Sequence, residues 1–195
     1  MLKKRIIVGI SGASGSIYGV RLLEKLHARP DVEVHLVLSR SGERTLFLET
    51  GRLAASLRAL AHFHYAHEDI GARIASGSFP VDAMVIAPCS ITSMSSLAHG
   101  ITNNLLVRAA DVTLKERRRL VLMVRESPLH LGHLRSMTAL AEMGAILAPP
   151  VPAFYHKPET VLAIVDHSVE RVLDLIGLPD PQAKRWQSET LDEDS

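Results

Sequence analysis

The chain has 195 residues, 47% hydrophobic and 22% charged, enough for one domain whose sheet is covered on both faces. A formal net charge of +1 and only 4% aromatic residues give no basic, aromatic-lined surface for nucleic acid. Cys89 is the single cysteine, so no intrachain disulfide is possible and a reducing cytoplasm is the expected setting; no run approaches the ~20 apolar residues of a membrane span.

The first element is the most informative. Ile6–Ile10 reads as a buried parallel strand. The basic residues ahead of it mimic a signal peptide, but the apolar run is too short and leads at once into a turn. That turn, Ser11-Gly12-Ala13-Ser14-Gly15-Ser16, is made only of small residues, and a helix is expected after it over Ile17–Ala28. A strand, a small-residue turn and a helix start bring backbone N–H groups and a positive helix end to an anion. The turn is neither GxGxxG nor GxxxxGK[ST], which argues against a dinucleotide fingerprint and against a Walker A loop. The hydroxyls of Ser11, Ser14 and Ser16 suit a phosphomonoester such as the tail of FMN. A plain helix start, with glycines for close packing, is the other reading.

Further strands are expected at Val32–Leu38, Ala83–Ala87, Leu120–Val124 and Ala145–Ala148. Helices are expected at Gly42–Thr50, Ile91–His99, Leu105–Lys115, Gly132–Met143 and Pro158–Ile176. Strands alternating with helices imply right-handed crossovers and an α/β fold, a three-layer doubly wound parallel sheet of the Rossmann-like or flavodoxin-like kind. The stretch Leu53–Ser78, with His62, His64 and His67, has no clear period. A single domain is expected over 1–178, followed by a polar, acidic tail over 179–195.

In an open α/β sheet, ligands bind beyond the carboxyl ends of the strands. Ser11, Ser39, Ser90 and Arg125-Glu126 each follow an expected strand, so they should converge on one crevice. Ser90 to Ser96 carries five hydroxyls, more than a helix cap uses, while Pro88 is expected to end its strand. Cys89 has no histidine placed to activate it and reads as apolar filler. The charge run Lys115–Arg119 suits a helix C-terminus, or a phosphate. His130 and His133, lacking a carboxylate at metal-ligand spacing, read as helix-start and packing residues. The proline-rich segment Pro149–Pro158 holds Phe154 and Tyr155 stiffly, as a substrate wall or as a plug in the core.

Together these segments resemble the flavin prenyltransferases, the UbiX family, from Lys4 to about Trp186. The matching runs are GISGASGSIYGVRLLE, LET at 48–50, SGSFP at 76–80, PCSITSMSS, NNLLVRAADVTLKERR, VRESPLHLGHL and PPVPAFYHKP. The resemblance implies an FMN-binding decarboxylase-like flavoprotein fold and a metal-independent alkyl transfer. A dimethylallyl group would pass from dimethylallyl phosphate to N5 and C6 of reduced FMN, making prenylated FMN for a UbiD-type decarboxylase. It also implies a symmetric homo-oligomer, a dodecamer, with sites shared between neighbours.

Carried over by motif, Gly12, Ala13, Ser14, Ser39, Ser90, Ile91, Thr92, Ser93 and Arg125 should hold FMN. Tyr155, Arg171, Lys115 and Arg125 should hold the prenyl phosphate, and Glu49, Glu126, Ser14 and Lys115 should take part in the chemistry. Val124 departs from the pattern, since many members have proline before the Arg-Glu pair. No DDxxD-like run occurs in the expected domain, so Lys115, Arg125 and Arg171 are left to meet the phosphate charge in place of Mg2+. Two other readings compete: an FMN-dependent cysteine-type decarboxylase on the same fold, and a non-catalytic flavin carrier.

Overall fold

The computed structural model describes residues 3–181 and 183; the rest of the expected tail lies outside them. A sheet of six parallel strands runs in the order β3-β2-β1-β4-β5-β6. The strands are β1 (Lys4–Ile10), β2 (Val32–Leu38), β3 (Phe63–Tyr65), β4 (Ala83–Cys89), β5 (Arg119–Val124) and β6 (Ile146–Leu147). The helices are α1 (Ser16–His27), α2 (Arg40–Thr50), α3 (Ala54–Arg58), α4 (Ile91–Ala98), α5 (Leu105–Lys115), α6 (Leu131–Glu142) and α7 (Val161–Leu175).

Alternation along the strands sorts the core into two layers. Ile6, Val8 and Ile10 of β1 pack with Val34 and Leu36 against α1, α2, α3 and α7. Ile7, Met84, Ile86 and Leu122 face the other way, against α4, α5 and α6. The fold is therefore the expected three-layer doubly wound sheet. Its strand order reverses between β1 and β4, the place where such sheets open a ligand crevice. Gly19 lets α1 press onto β4 there, because a Cβ at this position would run into the Ala87 carbonyl oxygen.

Several local expectations are corrected. Pro88 does not end its strand; β4 runs on to Cys89 through a register shift between Ile86 and Cys89. Proline gives no ladder N–H, but its carbonyl accepts from Ser11 N at 3.2 Å and Ser11 Oγ at 2.8 Å, so pairing continues around it. The unreadable stretch contains α3 and the edge strand β3. A three-residue edge strand is too short to show alternation, and it is held by Tyr65, whose hydroxyl lies 2.9 Å from Nδ1 of the buried His35. The last strand shrinks to Ile146–Leu147, and α7 starts at Val161, after its Thr160 cap accepts from Ala163 N. Phe154 and Tyr155 are 68% and 49% exposed, so the proline-rich segment is no core plug.

Candidate active site

Three helix starts meet at the β1/β4 reversal. Ser39 caps α2 by accepting from Gly42 N at 3.0 Å, and Ser90 caps α4 by accepting from Ser93 N at 3.3 Å. Ser11 Oγ accepts from Ser90 N at 2.7 Å and ties the ends of β1 and β4 together. Thr45 Oγ1 donates to the carbonyl of Gly12, and a Cβ on Gly12 would stand 2.5 Å from that of Ser41, so the turn lies tight on α2. The backbone turns into α1 through Gly15 at φ 98°, a conformation that glycine adopts without strain. Unpaired N–H groups at helix starts, with aligned dipoles, make this crevice attractive to an anion.

The start of α1 already has one. Glu49, in the last turn of α2, accepts from Gly15 N at 3.0 Å and from Ser16 N at 2.8 Å. The external anion expected at this helix end is thus replaced by the chain's own carboxylate, leaving the starts of α2 and α4 as the phosphate-ready ends. Burial alone would raise the Glu49 pKa. The Ser14 hydroxyl and the Ser16 and Gly15 amides outweigh it and hold the carboxyl below its usual range.

Ser14 links this carboxylate to the cation of the crevice. Its carbonyl accepts from Arg125 Nε at 3.4 Å, and the Arg125 amide in turn donates to Cys89 O at 3.1 Å. Arg125 is thereby placed beyond β5, next to the glycine turn, with its guanidinium exposed. Glu126 follows it and accepts from Ser127 N at 3.0 Å. Ile91, Thr92 and Ser93 form the first turn of α4 beside Ser90, with Thr92 exposed. Gly12, Ala13, Ser14, Ser39, Ser90 to Ser93, Arg125, Glu49 and Glu126 therefore belong to one end of the sheet. Cys89 lies beneath it as inert packing, its thiol pushed up to about 12 by burial.

Of the remaining candidates, Lys115 and Arg171 are not brought into this crevice within one chain. Lys115 closes α5 just before β5 begins, where it pairs with Glu116. That is a strand length, about 17 Å, from Arg125 at the far end of β5. Tyr155 lies on the exposed loop, its hydroxyl 3.2 Å from Nε2 of His167 on α7. Arg171 stands one helical turn further on, 66% exposed and 3.7 Å from Asp174. Arg21 and Lys25 of α1 pair with Asp166 and Glu170 of α7 at 2.8 and 3.0 Å, so the two helices descend side by side. Arg171 therefore sits about 15 Å below the start of α1.

Sequence reasoning missed Ser41, Thr45 and His167. Thr45 is four residues after Ser41 on one face of α2, a spacing that would have marked it. His130 fulfils its helix-start role, its Nδ1 accepting from Gly132 N at 3.0 Å. Among the described residues no group of His, Cys, Asp and Glu is arranged to hold a metal ion, and no helix is long and apolar enough to cross a membrane.

Residues 1–173 match the model of a family described as Flavoprotein. The chain is 55% identical over 186 residues to the flavin prenyltransferase UbiX of Escherichia coli K12, a match covering 94% of this chain and 98% of that one. A dodecameric FMN-dependent UbiX-like decarboxylase from Escherichia coli O157:H7 superposes with a TM-score of 0.92 at 48% identity, covering 94% of this chain and 100% of that one. AnUbiX (PadA1), solved with FMN and dimethylallyl pyrophosphate, also gives 0.92, at 41% identity over 96% of this chain and 100% of that one.

Proposed function

The chain belongs to the Flavoprotein family and, within it, to the UbiX flavin prenyltransferases, and from that membership we propose how its residues divide the work. The reaction is the transfer of a dimethylallyl group from dimethylallyl phosphate to N5 and C6 of reduced FMN. The single observation that carries the assignment of roles is Ser14, held between the Glu49 carboxylate and the Arg125 guanidinium at the strand-order reversal.

The crevice fits FMN. Gly12 lies too tight on Ser41 to carry a side chain, and the serine-capped starts of α2 and α4 present N–H groups to a phosphate monoester. Reduced FMN supplies the electron-rich N5 and C6 to which the allyl group is joined. Gly12, Ala13, Ser14, Ser39 and Ser90 to Ser93 hold it. As the allylic C–O bond breaks, its electron pair leaves on the phosphate, where fixed cations are worth most. Arg125 meets that charge from the crevice. Glu49, kept ionised by its amide and hydroxyl donors, is the base that takes a proton from the flavin side, and Glu126 manages the proton balance at the phosphate.

Tyr155, Lys115 and Arg171 hold the prenyl phosphate; Lys115 and Arg171 stand well away from Arg125 within one chain, so they reach it in the crevice of a neighbouring copy. The dodecameric state of the Escherichia coli relative supports such an assembly. With three cations gathered on one monophosphate, the reaction needs no metal. The product passes to a UbiD-type decarboxylase in the cytoplasm.

The test is mass analysis of FMN after anaerobic incubation with dimethylallyl phosphate, in metal-stripped buffer with EDTA. The flavin should gain one dimethylallyl-derived unit. Unmodified flavin under every condition would remove the assignment, and activity that appears only on adding Mg2+ would remove metal independence.

A further inference from the structure

Tyr155 projects from a loop with no regular structure, yet a residue that binds a phosphate must present its hydroxyl in one direction. The structure offers a device for this. Nε2 of His167 stands 3.2 Å from the phenol oxygen, and the two rings meet edge to face at 5.7 Å and 86°. His156 fills the third side, its ring centroid 4.0 Å from that of Tyr155 and 4.7 Å from that of His167. The helix that carries His167 is fixed from below, since Asp166 accepts two hydrogen bonds from the Arg21 guanidinium, from Nε at 2.8 Å and Nη2 at 3.0 Å. Arg21 belongs to the helix that starts at the glycine turn, so the loop tyrosine is registered to rigid elements rather than to its own segment.

We propose that His167 is a positioning residue for Tyr155: its Nε2–H donates to the phenol oxygen and turns the phenol proton outward to the phosphate of the prenyl donor. This rests on the reading above, in which Tyr155 touches that phosphate. An oxygen that accepts from the imidazole keeps its own proton free to donate, and the loop loses rotamer freedom before the substrate arrives. Burial, and secondarily the neighbouring His156, hold His167 below the ordinary histidine range, so at neutral pH it has one ring proton to place.

Three variants decide it, each assayed in the full assembled protein for KM toward dimethylallyl phosphate, kcat and FMN affinity. His167→Phe keeps a ring of similar shape and loses the donor; KM should rise about tenfold, with kcat within about twofold and FMN affinity unchanged. His167→Gln places an amide N–H near the Nε2 position and should restore KM to within about twofold of wild type. Tyr155→Phe should raise KM at least as far, and adding His167→Phe to it should change nothing more. A wild-type KM in His167→Phe, failure of His167→Gln to restore KM, or a double variant showing the product of both effects, overturns the positioning role while leaving Tyr155 in place. A wild-type KM in Tyr155→Phe overturns the phosphate contact itself, and the positioning role with it.

Discussion

Two regions of this molecule carry functional side chains, and they are built differently. At the β1/β4 reversal, Ser11 is hydrogen-bonded to Ser90, Ser14 to Glu49 and Arg125, and Ser39 to Ile10 and Gly42. At the end of α5 and along α7, on opposite faces of the sheet, Lys115 pairs with Glu116 and Arg171 with Asp174, and both side chains are exposed. The first region is preorganised inside a single chain. The second is anchored firmly to the scaffold, through Arg21–Asp166 and Lys25–Glu170, but offers its cations to whatever lies outside. The contrast teaches that, on the proposed roles, flavin-holding and phosphate-holding groups sit on separate parts of the scaffold, one preorganised by hydrogen bonds within the chain and the other facing outward.

The largest expected effect tests that division directly. Glu49→Gln keeps an acceptor for the Gly15 and Ser16 amides, so FMN affinity should hold, while single-turnover prenylation falls by about 10²–10³. Arg171→Ala is damaged in the other region. If the two regions meet across copies, mixing these impaired variants and reassembling them should recover activity in a fraction of the sites. A mixture no more active than its components would mean that each chain completes its own crevice, against the distances seen here.

Arg171→Ala on its own is the next effect in size. One charge-assisted contact to a phosphate is worth about 2–3 kcal/mol, so the dimethylallyl phosphate requirement should rise roughly 30- to 150-fold with FMN binding intact. Titration of both ligands against the variant reads this. Weakened FMN binding of similar size would place Arg171 with the flavin and erase the contrast between the regions.

The crevice was legible because strand ends are local. Ile6–Ile10, the small-residue turn and the serines after β2 and β4 can be read residue by residue, and α5 appears where its apolar spacing puts it. What escaped the sequence is what depends on distant pairing. Pro88 stays in its strand because Ser11, 77 residues earlier, takes up its carbonyl. Glu49 reaches the start of α1 across 33 residues, and no periodicity announces that a helix will be capped from the next one. His167 sits mid-helix among polar residues, and its meaning comes only from Tyr155 on a loop. The edge strand β3 is too short to carry a pattern at all.

The smallest effect concerns how the crevice tunes its own carboxylate. Ser14 lowers the Glu49 pKa through its hydroxyl, against the burial that would raise it. A carboxyl whose pKa is lower folded than unfolded adds stability above the unfolded value, and loses it as pH falls through the folded one. If Glu49 is the base proposed above, catalysis should follow the same sign, because the base must be ionised, and the acid limb of the rate profile should lie below the ordinary glutamate range. In Ser14→Ala one donor is gone while the Gly15 and Ser16 amides remain, so the limb should move up in pH without reaching the value for a buried, unassisted carboxyl. At neutral pH, where Glu49 is ionised in both proteins, the rate should drop only about tenfold, from the lost flavin contact. Single-turnover rates for both proteins across the acid range measure this. An acid limb unmoved in Ser14→Ala would mean that the two amides alone set the Glu49 charge, and that Ser14 serves the flavin and not the base.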